Sequence, residues 1–318
     1  MSYKERVCVL MGGLSEEREI SLKTGESVFQ TLKKGSYRPY KYVLDHPDEI
    51  IAVAERKAPV FNCLHGGIGE DGTLQSIFEL LSVPYTGTGP LGSALSINKI
   101  LSKGVFREES LDSPNYLAPE NRYREDFLDL VSHEIGFPAV IKPVGKGSSI
   151  DVRMAKDKKE LDKHFPTDEG FRSFFVEKYV EGRELTVGIL EIDGELKVLP
   201  LIELRVKSEP FYNYRAKYKF GETEVLSPAP VKRGVAQKIE NMARKAHKAF
   251  GCRGYSRADF ILNEGEVYIL ELNTVPGMTE NSNFPRAALE EGISREELVG
   301  HMLESAIERK DKIKTEGA

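Results

Sequence analysis

Residues 257–273 read RADFILNEGEVYILELN. Apolar runs at 260–262 and 267–270 flank a tight turn at 263–265, the pattern of an antiparallel hairpin. With that turn centre, Asp259 falls opposite Glu271 to within about one residue of register. Glu271 and Asn273 are two positions apart and share one face of their strand, because side chains alternate. Two carboxylates and an amide therefore meet at the mouth of one hairpin, and all offer hard oxygen atoms. Such a set suits Mg²⁺ held partly by protein and partly by substrate phosphates. An ordinary hairpin with solvated acids has the same local pattern, so the rest of the chain must decide between the two.

A length of 318 residues predicts two domains or three. With 40% hydrophobic and 30% charged residues, the chain has the make-up of a globular protein with a real core. A net charge of −5 argues against a dedicated nucleic-acid binder, which carries a basic surplus. The amino terminus opens on a strand-like run at 6–11, so no signal peptide is expected. No run approaches the roughly 18 apolar residues of a membrane span. Cys8, Cys63 and Cys252 lack metal spacing, and Cys8 and Cys63 sit in apolar segments that suit core packing. A reducing cytoplasm is the expected location.

Along the first hundred residues, strand and helix signals alternate. A buried-strand run at 7–11 leads through Gly12-Gly13 to a helix over 17–33. A second strand at 60–64 leads through a glycine-rich loop, 65–72, to a helix over 74–81. This alternation predicts parallel pairing in a doubly wound α/β unit. A loop at 84–92 precedes a helix from about Ser93. Beyond residue 98, strands are expected at 138–143, 174–179, 184–190 and 196–201, with turns at Gly182 and Gly194. Helical spacing marks 231–250, where Val235, Ile239, Met242, Ala246 and Phe250 recur near 3.6. A charged helix over 294–310 closes the chain. The expected units are 1–97, 98–185 and 186–318.

Gly145–Ser149, GKGSS, follows a strand directly. It reads either as a plain hairpin turn or as a loop whose N–H groups and hydroxyls wrap phosphate oxygens. Walker spacing is absent. Lys142 ends an apolar strand, where an ammonium must find an anion or snorkel to solvent. Lys99 is a further candidate phosphate contact or a solvated helix lysine. Glu177 and Glu184 bracket Lys178-Tyr179-Val180, an edge-strand segment whose backbone suits an adenine while a carboxylate takes a ribose hydroxyl. Residues 211–220, FYNYRAKYKF, interleave aromatic and basic side chains and read as a lid over a ligand. Stacking of single-stranded nucleic acid is the other reading of that string, disfavoured by the acidic total. After the first strand, GGLSEE lacks the GxGxxG pattern, which disfavours a dinucleotide-binding dehydrogenase. Its glycines let a helix start approach an anion, or Ser15 simply caps the helix. His65 follows the second strand, at the edge where open α/β sheets bind ligands, and is either structural or functional there.

Taken together, GGLSEEREIS (12–21), LHGGIGEDGTLQ (64–75), PYTGTG (84–89), IKPVGKGSS (141–149), FYNYRAKY (211–218), RADF (257–260) and ELNTVPGMT (271–279) resemble the signature blocks of the D-alanine–D-alanine ligases of the ATP-grasp superfamily. The blocks are collinear and span nearly the whole chain. The resemblance implies an amino-terminal doubly wound α/β domain followed by a two-lobed ATP-grasp fold. It also implies a reaction: ATP phosphorylates the carboxylate of one D-alanine, and the amine of a second attacks the acyl phosphate, making a peptidoglycan precursor. On the same resemblance Asp259, Glu271 and Asn273 match ligands of two Mg²⁺ ions, with Mn²⁺ able to replace them. Lys99, Lys142 and Lys217 match phosphate contacts, and Ser148 and Ser149 match the loop over the transferred group. Glu177, Lys178, Val180 and Glu184 match the adenosine pocket. Glu17 matches the acid that holds the first substrate's ammonium, with His65 beside it and Ser148 and Tyr218 bonded to it. Arg257 and the N–H of Gly277 match the groups that stabilise the tetrahedral oxyanion. Ser282 matches the serine that binds the second substrate's carboxylate, with Tyr212 and Asn283 among the substrate contacts. A homodimer is expected, with neither nucleic acid nor membrane as partner.

The chain departs from the family pattern in two places. Ile150-Asp151 stands where Val-Gly is usual after GSS, adding a carboxylate near the loop. Asn283 stands where an apolar residue is usual beside the second-substrate pocket, and a buried amide there would want a partner. That suits a D-alanine–D-X ligase with a hydroxylated acceptor such as D-serine, whereas the retained Lys217-Tyr218 argues for D-alanine in both positions. A nucleotide-binding regulator without turnover is the alternative from another class.

Overall fold

The computed structural model describes residues 6–120, 123–167, 169–207 and 223–316. The aromatic–basic segment 211–220, with Tyr212, Lys217 and Tyr218, lies outside the described residues.

β1 (Arg6–Gly12) pairs in parallel with β2 (Arg38–Leu44) on one side and β3 (Val60–Asn62) on the other. β1 is buried along almost its whole length, as expected for the centre of a parallel sheet covered on both faces. The sequence reading did not assign β2 or the helix Glu49–Glu55. RPYKYVL is charged and half-exposed, so the edge strand carries no continuous apolar signal. The helix expected from Ser93 begins earlier, at Pro90, whose fixed φ suits a first helical position.

Helix Arg18–Lys34 packs on β1, and the fit is set by glycine. A Cβ on Gly25 would lie 2.6 Å from Cβ of Met11. The helix start is tied to the end of the strand as well: the N–H of Gly12 donates to Oγ of Ser21 at 2.8 Å. These contacts fix where the polypeptide at Ser15–Glu17 emerges over the sheet's carboxyl edge.

Among the described residues, a second sheet runs in the order β4 (Tyr116–Leu117), β7 (Phe174–Lys178), β5 (Ala139–Pro143), β6 (Arg153–Ala155). The segment around Lys178 is therefore flanked by strands on both sides, not the edge strand expected from the sequence. The N–H of Lys178 donates to the carbonyl of Asn115 at 2.8 Å, and that of Tyr179 to the carbonyl of Pro138 at 3.2 Å.

The third sheet is antiparallel, with β11 (Thr223–Leu226), β10 (Ile202–Val206), β8 (Arg183–Ile192), β12 (Tyr255–Asn263) and β13 (Glu266–Asn273) in that order, and β9 (Glu195–Val198) also on β8. Helix Arg233–Ala249 covers one face with Ile239, Met242, Ala243 and Ala246, packed on Leu185, Val187, Phe260 and Ile269. On the other face, Leu190 and Tyr255 share a core with Val9 and Met11 of β1 and with Leu298, Met302 and Leu303 of the last helix. The amino-terminal sheet and the large sheet are thus joined through one apolar core.

Gly25→Ala separates packing from propensity. In an open helix alanine is favoured over glycine by about 0.5–1 kcal/mol. Against Met11 the added methyl should instead destabilise the protein by about 1–3 kcal/mol, read as a lowered melting temperature. A raised melting temperature would show that the helix does not depend on this contact.

Candidate active site

The β12–β13 hairpin has the expected register: Asp259 pairs with Glu271 and Arg257 with Asn273. A bulge after Asp259 shifts the ladder, so that Phe260 faces Ile269 and Leu270 is the extra residue. Asp259 is already well held. Its carboxylate accepts from Nε and Nη2 of Arg257 at 2.9 and 2.7 Å, and from Oγ1 of Thr186 on β8 at 2.6 Å. Arg257 reaches it because the two residues are neighbours on one face of the strand. Glu271 Oε2 lies 3.5 Å from Nζ of Lys99. Asn273 Oδ1 accepts from the N–H of Val275 at 2.9 Å, closing the turn into 274–279. Among the described residues no cluster of three His, Cys, Asp or Glu side chains is built for a metal. The donor set of two carboxylates and one amide fits a hard cation that takes its remaining ligands from phosphate.

At the opposite wall stands Glu17, 6% exposed. Ser148 Oγ donates to its Oε1. Two glycines allow the approach: a Cβ on Gly66 or on Gly147 would stand 2.8 Å from Glu17 Oε2. Gly66 needs its glycine for conformation too, at φ +67°. His65 is buried beside it, with Nε2 3.1 Å from Oγ1 of Thr24 and Nδ1 3.4 Å from Oε1 of Glu70. Glu70 also accepts from the N–H of Gly66 at 3.2 Å, so the histidine and its loop are held by one acid.

The loop that carries Ser148 adopts an uncommon backbone. Ser148, Ser149 and Asp151 have φ of +52°, +56° and +59°, in the left-handed region. Lys99 Nζ donates to the carbonyl of Lys146 at 2.7 Å. Lys146 Nζ in turn lies 2.7 Å from Asp151 Oδ2 and 3.1 Å from Glu16 Oε1. The extra carboxylate at 151 is therefore an ion-pair partner within the loop, and its lysine reaches the residue next to Glu17.

Lys142 on β5 reaches diagonally across the ladder to β7, where Glu177 Oε1 accepts from its Nζ. The other oxygen of Glu177 lies 2.6 Å from Nζ of Lys103. Burial works against the charge on Glu177, but Lys142 and Lys103 hold it below the usual carboxylate range. Burial also opposes the Lys142 ammonium, yet Glu177, with Glu271 and Glu184 farther off, keeps it above the ordinary lysine range. Both oxygens of Glu177 are occupied by lysine, while Glu184 remains half-buried at the cavity wall.

These groups line two adjoining cavities. The larger, about 360 Å³, is bounded by Glu17, His65, Ser148, Arg257, Asn273, Gly277, Ser282 and Asn283. The smaller, about 120 Å³, is bounded by Lys142, Ser149, Glu177, Lys178, Val180, Glu184 and Asp259. Lys99 and Glu271 border both. Ser282 stands at the N-cap position of the helix Asn283–Glu290, and its Oγ accepts from the N–H of Thr279 at 3.0 Å rather than from the helix. A Cβ on Gly277 would come within 2.9 Å of that Oγ, so the Gly277 backbone and Ser282 share one corner. Asn283 is only half-buried at the rim, so its amide is open to water rather than sealed in an apolar pocket.

Sequence reasoning missed Thr24, Glu70, Lys103 and Thr186. The partners of Thr24, Lys103 and Thr186 are distant in the chain, those of Glu70 lie within its own glycine-rich loop, and the local pattern of each is that of an ordinary helix, loop or strand residue.

The chain matches established families over most of its length. The family model described as "D-ala D-ala ligase C-terminus" covers residues 114–304, and "D-ala D-ala ligase N-terminus" covers residues 48–88. The D-alanine–D-alanine ligase of Syntrophobacter fumaroxidans is 41% identical over 308 residues, which is 96% of this chain and 98% of the relative. That of Carboxydothermus hydrogenoformans is 39% identical over 313 residues, 96% of this chain and 100% of the relative. Among solved structures, the D-alanine–D-alanine ligase of Bacillus anthracis complexed with ATP superposes with a TM-score of 0.82 at 31% identity, covering 97% of this chain and 99% of that one. The amino-terminal α/β unit followed by an ATP-grasp fold, expected from the motifs, is the architecture of these relatives. On identity over nearly its full length, the chain belongs to the D-alanine–D-alanine ligase family.

Proposed function

We propose that this chain is an ATP-dependent ligase that joins two D-alanines through a D-alanyl phosphate, releasing ADP and phosphate, for peptidoglycan precursors. The observation that carries this reading is the meeting of Glu17 and Ser148 in a cavity that Arg257, Gly277 and Ser282 also border. A carboxylate, an anion-wrapping loop and cationic groups around one space suit an amino-acid zwitterion next to a phosphoryl donor. The shared name of the relatives supports D-alanine at both positions and does not favour a different acceptor. Half-exposed Asn283 adds no sealed polar site that would call for one.

In this reading Glu17 takes the ammonium of the first D-alanine, and His65, set by Thr24 and Glu70, packs beside it. The smaller cavity takes ATP. Val180 and Glu184 face the adenosine, Lys178 and Glu177 border it, and Lys99 and Lys142, with Lys217 of the 211–220 lid, contact phosphates. Ser148 and Ser149 cover the transferred group, and Tyr218 and Tyr212 of the lid complete the enclosure. Excluding water protects the acyl phosphate from hydrolysis. The second D-alanine binds its carboxylate to Ser282 at a helix amino terminus, where anions are favoured. Its amine attacks the acyl carbon, and Arg257 with the N–H of Gly277 stabilises the oxyanion. Asp259, Glu271 and Asn273 would hold Mg²⁺, or Mn²⁺ in its place, which supplies charge neutralisation on the phosphates. Most of the rate is then positioning and electrostatics. The units 1–97, 98–185 and 186–318 are proposed as the functional divisions, working as a cytoplasmic homodimer. Among the described residues no helix is long and apolar enough to cross a membrane.

Incubating the protein with ATP, Mg²⁺ and D-alanine should release ADP and yield the dipeptide by mass. ATP binding without D-alanine-dependent ADP would overturn the ligase reading in favour of a nucleotide-binding regulator. Glu271→Gln should abolish turnover while the melting temperature holds, and near-normal activity would sink its assignment to the metal. Gly147→Ala forces a methyl toward Glu17 and displaces the loop, so turnover should fall by about 10–100-fold with the fold intact. Unchanged kinetics would mean that the loop does not close on Glu17 during the reaction.

A further inference from the structure

Lys103 is a lysine that the reaction as described does not use. It lies one helical turn beyond Lys99 on the helix Lys99–Glu108 and is 3% exposed. Its ammonium is 2.6 Å from Glu177 Oε2, donates to the carbonyl of Pro114 at 3.2 Å, and sits 5.4 Å from the centroid of the Tyr116 ring. Lys103 does not border either cavity described above. Burying such a charge is costly, and removing one partner of a buried ion pair leaves the other short of compensation.

The charge balance of the cluster suggests what Lys103 does. A Lys142–Glu177 pair alone is neutral and closed on itself, and an anion approaching Lys142 would meet the carboxylate's field along with the ammonium's. With Lys103 on the far oxygen, two cations share one carboxylate, and the cluster carries a net positive charge. Lys142 and Glu177 both border the smaller cavity and Lys103 lies behind them, so of these two cations it is Lys142 that faces that space. We propose that Lys103 is a positioning residue for the nucleotide: it shares Glu177 from the interior, so that the carboxylate does not neutralise Lys142 alone and Lys142 keeps more of its positive charge for a phosphate. This inference rests on the smaller cavity being the ATP site. Burial draws the Lys103 ammonium below the ordinary lysine range, and Glu177 opposes that shift.

Steady-state KM for ATP and for D-alanine, with melting temperatures, would be measured for Lys103→Met, Lys103→Arg, Glu177→Gln, the Lys103→Met/Glu177→Gln pair, and Lys142→Met. Lys103→Met should raise the KM for ATP about tenfold and leave that for D-alanine within about twofold, because Glu177 then neutralises Lys142 alone. Lys103→Arg keeps the charge and should restore ATP binding. In the Glu177→Gln background there is no carboxylate to occupy, so adding Lys103→Met should change the KM for ATP by less than about twofold. That comparison also serves if Lys103→Met alone does not fold, since the background leaves no unpaired buried carboxylate. A loss of melting temperature with the KM for ATP unchanged would make Lys103 a core residue only. An equal ATP penalty with and without Glu177 would likewise overturn the proposal. Lys142→Met tests the premise separately: an unchanged KM for ATP there would remove the nucleotide from the cavity, whatever Lys103 does.

Discussion

One buried carboxylate organises the cleft. Glu17 emerges from the amino-terminal sheet, yet its hydroxyl partner Ser148 belongs to a loop of the second sheet. The contact needs close approach on both sides, which is why glycine stands at 66 and 147, where a Cβ would press on the carboxylate. It also needs the helix Arg18–Lys34 to sit low on β1, which Gly25 permits. A shift in either packing layer moves the acid that, in the proposed function, meets the first substrate within hydrogen-bond distance. The shared core of β1, β8 and the last helix then carries that precision to the third sheet, where Arg257 and Glu271 face the same space.

Charge is distributed with similar economy. Every strongly buried ion in the cleft has a partner, as the cost of desolvation demands. Asp259 rests on Arg257 and Thr186, Glu177 on Lys103 and Lys142, and Lys99 bridges the loop carbonyl of Lys146 and Glu271. Lys99 and Glu271 border both cavities, so a change in occupancy of one space is felt by groups that also face the other. Such coupling suits a sequence of phosphoryl and acyl transfer in which the same carboxylate carbon is handed between two partners.

Much of this was legible in the sequence, and the boundary of legibility has a physical form. The hairpin register of Asp259 and Glu271 followed from turn position and alternation alone, because both are local rules. The bulge at Leu270 did not, since a bulge changes the ladder without changing the apolar pattern. Strand Arg38–Leu44 was missed for a related reason: an edge strand with charged, half-exposed residues lacks the periodicity that marks a buried one. Lys103 and Thr186 gave no signal because each acquires its role from a residue some seventy positions away, at Glu177 and Asp259. The family resemblance supplied the roles that local rules left open: it pointed to Glu177 and Lys142 as ligand contacts but was silent on Lys103, which lies on the other oxygen of Glu177.

Asp151 shows how a departure from the family pattern can fit the same design. A residue at φ +59° is one that glycine would occupy freely, and aspartate is among the side chains that best tolerate it. What the chain gains is a partner for Lys146, which also reaches Glu16. The loop is thereby held on two consecutive acids, by Ser148 on buried Glu17 and by Lys146 on exposed Glu16. The two contacts differ in strength, because the outer one is screened by water and exposed ion pairs contribute only about 0.2–1 kcal/mol. In the proposed reading the loop admits a nucleotide and then shields an acyl phosphate, which calls for a weak outer hold and a firm inner one. The graded burial of Glu16 and Glu17 provides that difference within a single turn of chain.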